Sequence, residues 1–252
     1  MTKSHASTNV PKWLAFTDRA EAVFAKFEKL PIPIGAKGAS DVHLYGYALL
    51  ARTASNFHGL MILVREGMVV EARTLARSCI ENSFYIVKLL KEGEPFLEKI
   101  LEADAASRDR RGQFMLEQGI KLDDDVKQRL QTYLKESRRA KPKPQSLEPK
   151  GVALKGPFLQ KYLAYTQLSD DAAHTSKTSL DRYVKRGGGK AVLSFKPVET
   201  NEEMVDTIVW ASLGSLGTFL AGTDMFKLFD LNKEVASLCE EYHALANSDG
   251  QL

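Results

Sequence analysis

The chain has 252 residues, 44% of them hydrophobic and 27% charged, with a net charge of +3. That is the composition of an ordinary soluble globular protein, long enough for one large domain or two small ones to bury a core. A charge this mild permits a nucleic-acid contact through a local patch without arguing for one.

The elements follow in order. Residues 1–9 read as a frayed terminus without the apolar run of a secretory signal. Residues 11–30 place Trp13, Phe16, Ala20, Phe24 and Phe27 at helical period, and the Pro-Ile-Pro-Ile-Gly run at 31–35 stops that helix. Ser40-Asp41 offers an N-cap for a second helix, with Tyr47, Leu50, Phe57, Met61 and Val64 on its apolar face. Gly67 is its left-handed terminator. A third helix spans 67–90. A fourth opens at Pro95 and ends near Gly119, and a fifth, thinly striped helix covers 122–139. The Pro- and Lys-rich stretch at 140–156 reads as an exposed linker-like loop inside one helical domain, 1–252.

A further helix is expected from 156 to His174, then a helical turn at 180–184 and a mobile basic loop, Lys185-Arg-Gly-Gly-Gly-Lys190. Residues 191–195 alternate weakly like a strand, with no partner strand in sight. Thr200-Asn-Glu-Glu203 is a capping box that opens a helix to about Phe226, and residues 232–246 form the last one. The expected architecture is an all-α bundle of seven to eight helices with an irregular excursion at 185–199. The apolar run 208–222 falls short of the roughly 20 residues of a membrane span. Cys79 and Cys239 lie far apart inside helical patterns and read as buried free thiols. Together these features predict a cytoplasmic protein with no membrane partner.

The third helix organises the rest. Its apolar stripe (Val69, Ala72, Ala76, Ile80, Ser83) is bordered by Arg73, Arg77 and Glu81, each one turn from the next. Charges on the border of so apolar a helix need partners from elsewhere. The stretch from Tyr165 to Ser176 supplies candidates in Ser169, Asp170, Asp171, His174 and Ser176. Arginine grips carboxylate or phosphate through a two-pronged fork, Glu orients it, and a His near neutrality moves protons. Two readings stand. The cluster Arg73, Arg77, Glu81, Ser169, His174 and Ser176 is a pocket for a small anionic or nucleotide-like ligand, or it is a buried salt-bridge network that ties two helices together.

Other signals are weaker. Asp170, Asp171 and His174 lack further ligands at metal-binding spacing, and no cofactor motif is present, so no metal or cofactor is expected. Arg52-Thr-Ala-Ser-Asn-Phe-His58 fits the Arg-x4–6-His pattern of the HEPN (higher eukaryote and prokaryote nucleotide-binding) ribonucleases. On a continuous helix, however, those two side chains stand about 120° apart. His58 and His174 are therefore the candidate catalytic imidazoles, and RNA is a candidate partner.

Glu71-Ala-x-x-Leu75-x-Arg77-x-x-x-Glu81 and, about 90 residues on, Leu168-Ser169-x-x-x-x-His174-x-Ser176 together resemble a bacterial family known only as a domain of unknown function. The likeness spans roughly residues 40–185. It implies an all-helical fold and a shared polar cluster, with no established activity. The second motif is expected with three residues, not four, between its Ser and His. A more distant likeness to HEPN-type proteins concerns the fold, and fold does not fix function. The functions expected are a binding or sensor module, a HEPN-like ribonuclease of a toxin or phage-defence system, or a scaffold without a ligand. Apolar residues all around helix 201–226 make it either the centre of the bundle or an interface. Because the charged helices at 95–139 cover such a surface poorly, a two-fold homodimer is expected.

Overall fold

The computed structural model describes residues 9–31, 38, 41–140, 147–153, 159–173, 175–197 and 199–249. Helix α1 (Val10–Ala25) starts with Pro11 in its first turn, where the missing N–H costs nothing, and buries Trp13, Phe16, Ala20 and Phe24. Helix α2 (Val42–Arg65) starts where expected. Asp41 caps it, accepting the N–H groups of His43 at 2.8 Å and Leu44 at 3.2 Å. At its other end Gly67 has φ +72°, and Met68 N–H reaches back to Leu63 O at 2.8 Å. That pairing needs a left-handed residue, and it turns the chain at once into α3 (Val69–Glu92).

Helix α9 (Asn201–Phe226) is the centre of the bundle. Its capping box is complete: Thr200 Oγ1 accepts Glu203 N–H, and Glu203 accepts Thr200 N–H. Helices α1, α2, α3, α7 (Leu159–Leu168) and α10 (Phe229–Ser248) all pack on it. By length and composition α9 as a whole is apolar enough to cross a membrane, more so than its run at 208–222 suggests, but 67% of that stretch is buried by its neighbours. It is therefore a core helix. Its closest approach is to α3: a Cβ built on Gly214 would lie 2.6 Å from Ile80 N and 2.7 Å from Cys79 C. Only a residue without a side chain permits that seam. Its neighbours cover most of α9 within one chain, and Trp210, Leu213 and Leu220 are left partly exposed.

Helices α1 and α10 pair across α9. Trp13 meets Tyr242 edge to face at 5.8 Å, and Trp13 Nε1 donates to Asp249 at 2.9 Å. Helices α4 (Glu94–Glu117) and α5 (Asp124–Ala140) form a charged pair; α4 docks through Phe96 and Leu97, and α5 rests on α4. The linker-like stretch contains a short helix, α6 (Pro149–Ala153), that sends Val152 and Ala153 into the core; residues 141–146 and 154–158 lie outside the described residues.

Two expectations need correction. Helix α7 does not run on as an α-helix to His174: it widens at Ser169–Ala173 into a π turn, and the short helix α8 (Lys177–Asp181) follows. The basic loop is itself a strand, β1 (Val184–Gly187), paired antiparallel with β2 (Lys190–Leu193). Its turn residues Gly188 and Gly189 have φ +58° and +74°, the two positive angles a two-residue hairpin turn requires. The hairpin was hidden because β2 is exposed on both faces, which leaves little apolar alternation to read.

Candidate functional site

Arg73 and Arg77 leave α3 one turn apart and reach the π turn. Arg73 Nε lies 2.5 Å from Asp171 Oδ2, yet its N–H has no hydrogen-bond partner; the two groups attract as charges but are misaligned as donor and acceptor. Arg73 Nη1 donates to Thr207 Oγ1 on α9 at 3.3 Å. Arg182, just past α8, completes the junction. Its Nε and Nη2 grip Asp171 at 2.7–2.9 Å, and its Nη1 meets Glu203 Oε1 at 2.7 Å. Glu203 thus has two tasks, one oxygen closing the capping box of α9 and the other holding Arg182.

The Asp171 side chain is only 9% exposed. Burial works against the charge on Arg182, but its bonds to Asp171 and Glu203 outweigh that and raise its pKa above the ordinary value. The cations that face Asp171 are already paired. A ligand anion would have to displace a buried carboxylate to use them.

The second rung is more open. Arg77 Nε donates to Ser169 Oγ at 2.7 Å, and its Nη2 donates to Tyr165 Oη at 2.5 Å while the guanidinium lies 4.6 Å from that ring's centroid. Ser169 passes the bond on to Tyr165 O at 2.7 Å. Glu81 stands 3.8 Å from Arg77, and about a quarter of each side chain meets solvent. Burial, reinforced by the charge of Glu81, pushes the Tyr165 hydroxyl above its usual pKa, so it stays a neutral phenol.

The structure therefore brings Arg73, Arg77, Glu81 and Ser169 together. Ser176 belongs elsewhere: its Oγ caps α8 by accepting Ser179 N–H, and it donates to Asp170 O. His174 lies outside the described residues. A π turn holds one residue more than an α turn, the same size of offset as the extra residue between Ser169 and His174. Among the described residues no group of three His, Cys, Asp or Glu side chains is placed to hold a metal.

Sequence reasoning missed Asp171 as the hub, Arg182 as its main partner and Tyr165 as the platform. Asp171 and Arg182 are eleven residues apart, with the end of the π turn and all of α8 between them, so no single helix links them. Glu203 carried a visible signal, but the capping box accounted for it fully.

A different part of the molecule holds an apolar-lined opening. A cavity of about 520 Å³ lies between α1, α2 and α9, with Phe24, Phe27, Leu50, Ala54 and Phe219 among its lining. Phe24 stacks on Phe219 at 3.9 Å. Glu21, Glu28, Ser55 and His58 add polar groups. His58 Nδ1 and Glu21 Oε1 are 2.7 Å apart, and Arg65 braces the same carboxylate at 3.9 Å. With Nδ1–H assigned as the donor to Glu21, Nε2 is left for another partner. Ser55 is one turn from His58, but no hydrogen bond joins them, so no activated nucleophile is assembled.

Arg52 does not converge with His58. Helix α2 is unbroken between them, His58 faces α1, and the charge of Arg52 acts on Cys79 and Tyr85 of α3.

Neither the curated proteins nor the solved structures contain a match to this chain. A family model does match, over residues 43–191, more than half of the chain, from the start of α2 into β2. That stretch holds Arg73, Arg77, Glu81, Ser169, Asp171 and Arg182, while α1 and α9, which complete the cavity, lie outside it. The chain belongs to the family of unknown function DUF5677.

Proposed function

We propose that this protein is a binding module whose ligand enters the cavity between α1 and α2. The observation that carries this reading is the cavity itself: about 520 Å³, with an aromatic and aliphatic lining and a few polar groups. Ligand sites commonly have that size and that balance of surfaces. The carboxylate of Glu28, with that of Glu21 beyond its bond to His58, makes the lining acidic and favours a small, flat, largely apolar molecule that carries an amine or another hydrogen-bond donor. An anionic or nucleotide-like ligand at the Arg77–Glu81 edge has less support, because the neighbouring guanidinium groups are already paired. Ribonuclease chemistry has less still, with Arg52 and His58 on different flanks of α2.

Thermal shift and calorimetry with phenethylamine, ethylbenzene and phenylpropionate test the reading. The amine raises the melting temperature most and the carboxylate least. Ala54→Phe, which fills the cavity, and Glu21→Gln, which removes the charge, both abolish the amine's effect. A shift that persists in Ala54→Phe places the ligand elsewhere and ends this proposal.

A further inference from the structure

The β1–β2 hairpin makes few contacts beyond itself and its root, and a two-stranded hairpin alone is marginal in water. Its root, however, is fixed. Arg182 is locked between Asp171 and Glu203, and Arg186 pairs with Asp181 at 2.8 Å. From that base the arm carries Lys185, Arg186, Lys190 and Lys196, and the sequence from 183 to 198 contains no Asp or Glu. Phe195 is 99% exposed and Leu193 75%. Large apolar groups this exposed beside three lysines, on an arm that carries no acid of its own, mark an interaction surface.

Register and charge decide what fits it. Paired residues share a face, so Leu193 lies with Val184, Arg186 and Ala191, and Val192 lies with Lys185 and Lys190. Each face therefore mixes an apolar group with a cation, and the tip is bare glycine. A bilayer would demand a continuous apolar face or an apolar tip. A second copy would set one acid-free hairpin against another. A single-stranded nucleic acid meets the mixed demand, with phosphates for the lysines and bases to stack on Phe195.

We propose that the β1–β2 arm is a contact site for single-stranded RNA or DNA, with Lys185, Lys190 and Lys196 holding phosphates and Phe195 a base. This is independent of the cavity, which none of these residues line.

Fluorescence anisotropy with labelled oligouridylate and oligothymidylate, run against the same length of duplex, tests it. Both single strands bind better than the duplex. The logarithm of affinity falls with the logarithm of salt at a slope of about −2, as three phosphate contacts require. Phe195→Ala weakens binding by roughly fivefold to a hundredfold, the range for loss of one stacked base. Lys185→Glu with Lys190→Glu removes it, and since all three side chains are exposed the melting temperature stays put. The proposal is overturned by no binding at low salt, by equal affinity in both variants, or by equal displacement with polyglutamate. Flotation with anionic phospholipid vesicles that depends on Phe195, in the absence of nucleic-acid binding, also overturns it and makes the arm a membrane contact.

Discussion

Helix α9 has two very different flanks. Against α3 the packing is closed: Gly214 lets the backbones meet, Cys79 is buried beside Ser215, and the Arg73–Asp171–Arg182–Glu203 junction closes over one end. Against α1 and α2 the same helix leaves space, and Phe219 becomes part of a cavity lining. The difference is one of side-chain size and charge placement. Small residues on α9 draw α3 in, whereas on the other flank Phe24 and Phe27 meet Phe219 ring against ring beside the opening. The charges of the closed flank are buried and paired with one another, whereas those beside the opening, Glu21, His58 and Arg65, are more exposed to solvent. The closed flank is built to hold the fold and the open one to accept something.

The largest effect should come from breaking the closed flank at its hub. Asp171→Ala removes the anion that faces Arg73 and leaves Arg182 with Glu203 alone, two side chains that are only 12–13% exposed. Loss of one partner from a buried ion pair costs about 3–5 kcal/mol. Chemical denaturation should show that loss, with ligand affinity at the cavity preserved in the folded fraction. A cost under about 1 kcal/mol would mean that the junction is solvated, and the contrast between the flanks would fail.

Gly214→Ala tests the same flank without touching a charge. Its added methyl meets the α3 backbone at 2.6–2.9 Å, and backbone cannot rotate away as a side chain does. Overpacking of this kind costs about 1–3 kcal/mol. The matched change on the open flank, Ala54→Phe, inserts far more volume yet should change stability by less than about 0.5 kcal/mol, because the space exists and a variant free of a named structural fault stays in that range. Equal costs at the two sites would mean that the cavity is no more open than the seam.

The sequence made one flank more legible than the other. Asp41, Gly67, Thr200 and Glu203 announce helix ends through local chemistry, and the Arg73/Arg77/Glu81 ladder shows at helical spacing that α3 needs charged partners. Ser169 and Asp171 lay within the expected partner stretch. Arg182 did not, because chain reversal rather than periodicity brings it there. The cavity left no trace at all. Glu21 and His58 sit on separate helices 37 residues apart, each an unremarkable border residue, and an unfilled volume is a property of three helices together. The hairpin was misread for a related reason: an arm that packs on little beyond its own root carries no burial pattern.

The smallest effect separates charge as such from charge that is buried. At the far end of α3, Glu92 accepts from Lys88 at 2.7 Å and Lys99 at 3.1 Å. A negative group at a helix C-terminus opposes the helix dipole. Hydrogen bonds from Lys88 and Lys99 nonetheless hold the Glu92 carboxyl below the ordinary value of 4.5. A carboxyl whose folded pKa is depressed binds protons more readily when unfolded. Its contribution is therefore complete above the ordinary value and disappears as the pH falls through the lower, folded one. The group is solvent-accessible, and exposed ion pairs contribute about 0–1 kcal/mol. Glu92→Gln should cost no more than that at neutral pH, and the gap between variant and wild type should close on acidification and shrink in high salt. Denaturation curves for both proteins from neutral pH down to pH about 3 measure it. A gap as large as that of Asp171→Ala, or one indifferent to pH, would show that exposure does not divide these two charge clusters, and the closed flank would owe its strength to something other than burial.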